Sequence, residues 1–418
     1  MSLPIDQLLR LADEMEESLR LDIIETWFPR CIDPSGGFHE RFDRIWRGQE
    51  DKTRLVVCQA RMTWVVAVLS ESQPSLKDEF AGHAHHGIRY LTENFLNSDG
   101  SLVWDIARRQ DGARVSDEIH AYGISFAIYA AAAAHRATGD EAALELGTSA
   151  FAWLESHLHD EENGGYFECA GPGDKPILEP RDSAHPRDQI GTLYGQKSQN
   201  THLHLLEAFS ELALVWPDPA LRTRLREVQD ILLHRLYHSD GWLHGFAHPD
   251  WTPVPGEISH GHDIEAAHLL MDAAQILDGK IDDRTAEVAQ SLIGYVVKHG
   301  FDKENGGVYS TGNAQNEVTD KAKVWWVQAE TMLGLIRGLQ LPNGASERNL
   351  NALLKTWHWI KTRQIDQDHR GWHAVIGETP PQDRTAMKAE PWKAAYHDGR
   401  ALLYGARELR RLRTNDRR

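Results

Sequence analysis

Six short segments recur along the chain at similar distances, each with a glycine followed by strand-forming residues. Each glycine is expected to adopt the positive φ angle of a tight turn, and the aromatic or β-branched residues after it suit a short strand. Successive marker glycines are separated by 63, 65, 76, 66 and 64 residues. A repeat of this length predicts stacked structural units. The marker glycines are Gly37, Gly100, Gly165, Gly241, Gly307 and Gly371.

Helical patterns fill the space between these turns. Apolar residues repeat with helical spacing, for example at Leu203, Leu206 and Phe209. The long third interval also contains Gly-Pro-Gly-Asp-Lys-Pro at 171–176, whose composition indicates an inserted loop. The twelve predicted helices cover residues 4–27, 53–69, 76–95, 118–135, 141–158, 199–215, 219–236, 263–277, 283–299, 322–339, 347–362 and 392–411.

Twelve helices with six similar turns fit two architectures, an open solenoid and a closed (α/α)6 barrel. The first and last helices have no partner beside them in sequence, so pairing them across the termini would close a ring. We therefore predict an all-α fold, an (α/α)6 barrel of six inner and six outer helices with short strands in the loops at one end. No linker or change of composition divides the chain, so we expect one domain over residues 1–418.

The composition excludes several classes of partner. A formal net charge of −17 argues against nucleic acid and against an anionic membrane. No run approaches the roughly 18 apolar residues of a membrane span, and residues 1–17 lack the apolar core of a signal peptide. The three cysteines, Cys31, Cys58 and Cys169, have no motif spacing. These features predict a cytoplasmic location and leave the oligomeric state open.

Polar and aromatic side chains recur near the start of each inner helix, where a plain core does not need them. In a closed barrel the same ends of all six inner helices converge, so we expect these side chains to line one cavity. A single pair such as His262 and Glu265 is also explained as a helix cap and a surface charge, but six equivalent positions are not. In helix order the candidates are Arg61 and Trp64; Tyr122, with His120 nearby; Asn200 and His204; His262 and Glu265; Trp326 and Glu330; and Trp392, His397 and Arg400.

These residue types suit a carbohydrate. Tryptophan faces stack on pyranose rings, while Asn, Arg and Glu bond hydroxyl groups. Histidine has an unperturbed pKa of about 6.5, so two histidines can act as acid and base near neutrality. This chemistry favours proton abstraction next to a carbonyl over glycoside hydrolysis or elimination, since hydrolysis typically needs two carboxylates flanking the bond. A sugar-binding protein without catalysis would not need His262 and His397 as a pair.

Two groups of histidines raise the alternative of a metal site. His202 and His204 have a His-x-His spacing, but on a helix they point to different sides. His83, His85 and His86 precede an apolar helical pattern and are expected to be exposed. No cysteine joins either group, and no glycine-rich phosphate loop is visible. The sequence therefore predicts no metal and no other cofactor.

Five segments, spread over nearly the whole chain, are informative together. They read Trp-Phe-Pro-Arg-Cys-Ile-Asp at 27–33, Lys-Ser-Gln-Asn-Thr-His-Leu-His at 197–204, Gly-His-Asp-Ile-Glu-Ala at 261–266, Lys-Val-Trp-Trp-Val-Gln-Ala-Glu at 323–330, and Trp-Lys at 392–393 with Tyr-His at 396–397 and Gly-Arg at 399–400. In this order they resemble the N-acylglucosamine 2-epimerase superfamily, and within it the cellobiose 2-epimerases. The resemblance implies an (α/α)6 barrel, a small-molecule sugar as partner, and cofactor-independent epimerisation at C2 of a reducing-end aldose. The related mannose isomerases, which form fructose, remain the alternative.

The resemblance also implies a role for each candidate. His262 and His397 would be the acid/base pair on opposite faces of C2, acting through a cis-enediolate. His204 would assist ring opening and hold the open-chain sugar. Arg61 would bond the oxygens on which the enediolate charge develops.

The remaining candidates would hold the sugar or the histidines. Glu265 and Glu330 would orient and tune the histidines, and Asn200 would bond a hydroxyl group. Trp326 would stack on the reducing-end ring and Trp392 on a second ring. The other residues expected to bind substrate are Tyr122, Trp64 and Arg400.

The chain departs from the family pattern beside the predicted site. The family usually has Trp where this chain has His268, Asn at Asp398, Met at Gln199 and often Tyr at His260, and it has Cys-Pro where Ala-Ala stands at 394–395. These departures leave the predicted reaction in place. They leave the substrate open between a disaccharide and free mannose or glucose.

Overall fold

A computed structural model describes residues 4–50, 53–107, 113–114, 116, 118–171, 173–180, 183–342, 344, 346–377 and 386–415. Six inner helices form a ring and six outer helices surround it. The inner helices, in chain order, are Val56–Ser72, Ala121–Thr138, Gln199–Ala213, His260–Asp278, Trp325–Gly338 and Tyr396–Asn415. The outer helices are Ile5–Ser18, Lys77–Asn94, Glu141–His157, Pro219–Ile231, Asp283–Tyr295 and Glu347–Trp359.

Several outer helices are lengthened by wider π-helical turns before the chain reaches a marker glycine. The first outer helix then continues as Glu25–Cys31, and a short 3-10 turn, Pro74–Leu76, precedes the second. The π-helical turns are Leu19–Ile24, Leu232–Leu236, Val296–Gly300 and Ile360–Gln364.

The ring closes through contacts between the two ends of the chain. Each inner helix packs against the next, and the sixth inner helix packs against the first. The first outer helix lies against the sixth inner helix, where Arg410 Nη2 is 2.7 Å from a carboxylate oxygen of Asp13. The predicted (α/α)6 barrel is therefore confirmed.

Short antiparallel strands connect neighbouring repeats at one end of the barrel. A strand that precedes an inner helix pairs with the segment after the following marker turn, as when Ile119–His120 pairs with Cys169–Ala170. These strands explain why the predicted starts at 53, 118 and 322 are early, since the chain is extended there before the helix begins. The strands are Thr53–Leu55, Asp105–Ala107, Ala113–Arg114, Ile119–His120, Cys169–Ala170, Lys197–Ser198, Tyr237–His238, Trp242–Leu243, Phe246–Ala247, Pro253–Val254, Ile258–Ser259, Thr311–Gly312, Val318–Asp320, Lys323–Val324 and Val375–Ile376.

The marker turns hold the inner helices by a repeated side-chain contact. All six marker glycines have positive φ angles, as predicted. In the first, third and fifth inner helices, the fourth residue bonds backbone atoms of the residue just after the marker glycine. Gln59 pairs with both N and O of Phe38 at 2.8 Å, and Gln328 does the same with Val308. His202 Nε2 accepts from the N–H of the residue after Gly165 at 3.0 Å.

The inner helices are apolar over most of their surface because both neighbouring inner helices and the outer layer cover them. In the first inner helix every residue from Val56 to Ser70 is buried. None of the helices in the described ranges is long and apolar enough to cross a membrane.

Replacing Gly165 with alanine should destabilise the fold more than the same change at Gly139. Both glycines have φ of +72°, so both variants carry the cost of a left-handed residue, roughly 1–2 kcal/mol. A Cβ at Gly165 would lie 2.5 Å from Trp251 and 2.8 Å from His202 Nε2, whereas a Cβ at Gly139 meets open space. Urea unfolding of both variants would measure the difference, and equal losses would contradict this account of the turn.

Candidate active site

The N-terminal ends of the inner helices surround a cavity of about 420 Å³. Nine of the twelve predicted site residues line it, together with Trp325 and with Gln189 and Ile190 from the loop before the third inner helix. The nine are Arg61, Tyr122, Asn200, His204, His262, Glu265, Trp326, Trp392 and His397.

Helix caps place two of these side chains at the cavity. Ser198 Oγ accepts a hydrogen bond from the N–H of Thr201 at 3.0 Å, which fixes the start of the third inner helix. Ser259 Oγ accepts from the N–H of His262 at 3.3 Å, which fixes the start of the fourth. The first turn of each helix therefore presents Asn200 and His262 to the same space.

Trp326 lies close to both predicted acid/base histidines. Its ring centroid is 4.8 Å from that of His262 and 5.7 Å from that of His397. The third histidine, His204, meets the ring of Tyr122 edge-to-face at 5.1 Å. The three imidazoles thus come from three different inner helices and border one cavity.

Arg61 is held over aromatic rings at the cavity wall. Its guanidinium lies 4.3 Å from the ring centroid of Phe126 and 5.1 Å from that of Tyr396. Nη2 donates to the Tyr122 hydroxyl at 3.0 Å, and Nη1 donates to the Trp392 carbonyl oxygen at 3.4 Å. These contacts fix a positive charge beside the cavity.

Arg400 lies beneath the cavity and gathers three carboxylates from three inner helices. Its Nη1 bonds Glu207, and its Nη2 lies 2.5 Å from Glu265 and 2.8 Å from Glu330. Tyr396 also donates to Glu207 at 2.6 Å. We call Arg400, Glu207, Glu265, Glu330 and Tyr396 the charged layer; all five are buried.

Arg400 changes the pKa values of the carboxylates in the charged layer. Burial alone would raise the pKa of Glu207, but the guanidinium and the bond from His204 hold it at about 2. At Glu330, burial also acts to raise the pKa, but Arg400 and the bonds from His268 and His397 act to lower it. The pKa of Glu330 is therefore well below its usual range. Burial, followed by the negative charge of Glu330, raises the pKa of Glu265 to about 7.

Two of the histidines at the cavity are hydrogen-bonded to carboxylates of the charged layer. His397 Nδ1 is 2.7 Å from Glu330 Oε1, and His204 Nδ1 is 3.0 Å from Glu207 Oε2. Burial lowers the pKa of His397 and of His262 to about 3, so both rings are neutral at neutral pH. A neutral imidazole with one unprotonated nitrogen can accept a proton.

Glu265, Glu330 and His397 are close enough together to hold a metal ion. Arg400 already bonds both carboxylates and supplies the positive charge that such a cluster needs. The Arg400 guanidinium is therefore the cation at the place where these side chains converge. Glu265, Glu330 and His397 do not require a metal ion there.

A second buried cluster contains His120, Cys169 and Asp188. Nδ1 of His120 accepts from the N–H of Tyr122 at 3.1 Å, so its Nε2 carries the proton that it shares with Asp188 at 3.1 Å. No lone pair remains on that ring for a metal. The pair instead attaches the loop that carries Gln189 to the second inner helix.

The other histidine groups also lie outside the cavity. Both ring nitrogens of His202 bond backbone groups, including the carbonyl oxygen of Ser198 at 2.8 Å. His83, His85 and His86 lie within the second outer helix, Lys77–Asn94, inside the predicted range 76–95. His85 is exposed as expected, whereas His83 and His86 are partly buried.

The sequence profile of the N-acylglucosamine 2-epimerase family matches residues 36–401. The chain belongs to this family. A cellobiose 2-epimerase of Bacteroides fragilis is 29% identical over 408 residues, which cover 96% of this chain and 99% of that protein. The structure of cellobiose 2-epimerase from Spirochaeta thermophila superposes with a TM-score of 0.83 at 28% identity, covering 97% of this chain and 98% of the other. A D-mannose isomerase of Marinomonas mediterranea is 23% identical over an alignment that covers 89% of this chain and 91% of that protein.

Three predicted site residues do not line the cavity of this family member. Trp64 is fully buried, with its ring stacked on Tyr129 at 5.0 Å, which corrects the expectation that it contacts sugar. Arg400 bonds only protein groups of the charged layer, one turn below His397, which corrects the same expectation. Glu330 lies below His397 and contacts it, as an orienting residue would.

Two groups of residues at the site were missed from the sequence. Glu207 follows His204 by three residues, the same spacing as His262 and Glu265, so its place was visible in the pattern. The other group is Gln189 with Ile190, which reach the cavity from the loop before the third inner helix. Loop composition gives no periodic signal for them.

One of the departures from the family pattern, His268, contacts the charged layer. His268 Nε2 is 2.9 Å from Glu330 Oε2. Gln199 donates to Asp263 at 3.4 Å, and His260 Nδ1 lies 2.9 Å from the carbonyl oxygen of Tyr309. Burial raises the pKa of Asp398 to about 6.

Replacing Arg400 with methionine should destabilise the fold by roughly 3–5 kcal/mol, because it leaves buried carboxylates without a counter-charge. The loss should be larger at pH 8 than at pH 5. Without the guanidinium, burial raises the folded-state pKa of Glu207 above its unfolded value, so stability falls as pH rises. In the wild type the pKa of Glu207 is depressed to about 2, and that stability is lost only as pH falls below about 4.5.

Urea unfolding at the two pH values would measure both effects. Arg407→Met is the matched control, since the Arg407 side chain is 51% exposed. A loss in Arg400→Met no larger than in the control, or equal at both pH values, would contradict the role of the charged layer.

Proposed function

We propose that this protein is a carbohydrate 2-epimerase that interconverts the gluco and manno configurations at C2 of a reducing-end aldose. The observation that carries the proposal is that His262 and His397, on different inner helices, border one cavity and flank the same indole, Trp326. Inversion at a carbon next to a carbonyl needs a proton-transfer group on each face of that carbon. His262 and His397 can each be that group, since a neutral imidazole accepts a proton and an imidazolium donates one.

The relatives support the same reaction class. The Bacteroides fragilis and Spirochaeta thermophila relatives are cellobiose 2-epimerases, and the alignments cover nearly the full length of each chain. The Marinomonas mediterranea D-mannose isomerase is less similar. We therefore propose epimerisation of mannose, glucose or a β-1,4-linked disaccharide as the reaction, in preference to formation of fructose.

In the proposed mechanism, His204 assists opening of the sugar ring, and Asn200 holds a hydroxyl group. One of the two histidines then removes the C2 proton. For His397 the accepting atom is Nε2, because Nδ1 is engaged by Glu330, which stays ionised. The C2 electron pair moves toward the carbonyl and gives a cis-enediolate, whose charge lies near Arg61.

The enediolate then rotates about its C2–C3 bond, and the other histidine protonates C2 on the opposite face, which inverts the configuration. That histidine takes up its proton from solvent, because the negative charge of the enediolate favours a protonated imidazole beside it, and the first histidine releases the C2 proton to solvent. Trp326 would stack on the reacting ring, and Trp392, which is 36% exposed at the cavity mouth, on a second ring.

Proton NMR in D2O with mannose, glucose, cellobiose or lactose tests the function directly. We expect deuterium at C2 and accumulation of the 2-epimer of at least one sugar, with EDTA present, because Arg400 rather than a metal supplies the buried cation. Fructose as the main product from mannose would favour the isomerase alternative. No exchange at C2 of any of these sugars would contradict the proposal.

His262→Asn and His397→Asn should each lower turnover by about 10²- to 10⁴-fold, the usual worth of a positioned proton transfer. The double variant should be little worse than either single variant, because the two groups act in one sequence. Each single variant keeps one base, so we expect it to exchange the C2 proton of one epimer with D2O without inverting it.

His358→Asn provides the control, since His358 is exposed on the sixth outer helix. Turnover near the wild-type value in either site variant would show that the assignment of that histidine is wrong. His204, which borders the same cavity, would then be the next candidate.

A further inference from the structure

His268 connects to the proposed acid/base group through one carboxylate. It is buried on the fourth inner helix, and its Nε2 is 2.9 Å from Glu330 Oε2. The other oxygen of Glu330 is 2.7 Å from Nδ1 of His397. Three side chains from the fourth, fifth and sixth inner helices therefore form a continuous hydrogen-bonded chain that ends at the sugar cavity.

The protonation of this chain follows from its central group. Arg400 lies 2.8 Å from Glu330 and keeps it a carboxylate, which can only accept hydrogen bonds. Nε2 of His268 and Nδ1 of His397 must therefore each carry the proton of their bond to Glu330. The free nitrogen of His397 is then Nε2, and the free nitrogen of His268 is Nδ1.

The free side of His268 borders a second cavity, at the opposite ends of the inner helices. This cavity has a volume of about 470 Å³, and the charged layer separates it from the sugar cavity. Among the described residues, Nδ1 of His268 has no protein hydrogen-bond partner. The charged groups that line this cavity are Glu71, Arg136, Glu207, Glu211, Asp272, Arg337, Arg400, Arg407, Glu408 and Arg411.

We propose that His268 is a positioning residue that sets the basicity of His397 through Glu330. The carboxylate stabilises a protonated His397, and it does so less strongly when other donors share its charge. The N–H of His268 is such a donor, aimed at the oxygen that His397 does not use. It also fixes the orientation of the carboxylate so that Oε1 faces His397.

The inference rests on the proposed function only in treating His397 as an acid/base group. The hydrogen bonds to Glu330 do not depend on whether the protein acts on a sugar. Besides Glu330, the charges with the largest effect on the pKa of His397 are those of Arg61 and Arg400, and both lower it. No substitution in the test below changes either arginine.

Removing the donor should raise the pKa of His397. In His268→Leu we expect an upward shift on the order of 0.5 to 1 pH unit, the size of one lost hydrogen bond. In His268→Gln, whose amide can still donate to Glu330, the shift should be smaller. Asp272→Asn is the control, since Asp272 borders the same second cavity on the same helix but pairs with Arg337.

Two readouts distinguish this role from simple packing. Nitrogen-15 NMR of the His397 ring, assigned with His397→Asn, reports its pKa whether or not a sugar is turned over. The acidic limb of kcat against pH should move by the same amount and in the same direction, with KM unchanged, because His268 does not border the sugar cavity. A packing role alone would lower stability in both His268 variants and leave the titration of His397 in place.

An unshifted His397 titration in a folded His268→Leu variant would overturn the proposal. If that variant does not fold, the wild type still decides the matter, because the proposal requires the proton of His268 to reside on Nε2. A nitrogen-15 spectrum with the proton on Nδ1 would overturn it. Absence of epimerase activity together with a shifted His397 titration would instead refute the proposed function and leave this coupling intact.

Discussion

The pairing of Arg400 with three buried carboxylates is the interaction on which the rest of the structure depends. Glu207, Glu265 and Glu330 project from three consecutive inner helices toward the barrel axis, where like charges would repel and burial would penalise each of them. The guanidinium offers several donors in a fixed plane and bonds all three. The electrostatics of the site therefore require a closed ring, because Arg400 belongs to the last helix of that ring.

The charged layer gives the three cavity histidines unequal surroundings. His204 and His397 each have a carboxylate beneath them, at 3.0 and 2.7 Å. For the ring of His262, no carboxylate partner is found within the described ranges, and its near neighbour is the indole of Trp326. A protonated imidazole is therefore stabilised by direct contact at His397 and by more distant charge at His262. In the proposed mechanism, this asymmetry gives the two faces of C2 different proton-transfer groups.

The sequence predicted the barrel because its six glycine turns and helical patterns recur locally, and it predicted most of the cavity wall because equivalent helix positions converge in a ring. It did not predict how far along each inner helix the cavity extends. Helical spacing places Trp64 on the same face as Arg61, but it does not show where the cavity ends. In the structure, Trp64 packs against Tyr129, so its ring lies in the core. Gln189 reaches the cavity from a loop, and the bond that holds this loop in place joins residues 68 positions apart, His120 and Asp188. No local sequence pattern predicts a contact between residues so far apart in the chain.

Closure of the ring by its terminal helices also has a consequence for how the molecule forms. During synthesis, five inner helices are complete before residue 396 exists, and their carboxylates then face an unfinished groove without the guanidinium that bonds them. The sixth inner helix, Tyr396–Asn415, brings His397 and Arg400 together with the last wall of the barrel. Assembly of the proposed proton-transfer pair, pairing of the buried carboxylates and completion of the barrel therefore all depend on this last helix. A ribosome-bound intermediate can hold most of this barrel and still have no working site.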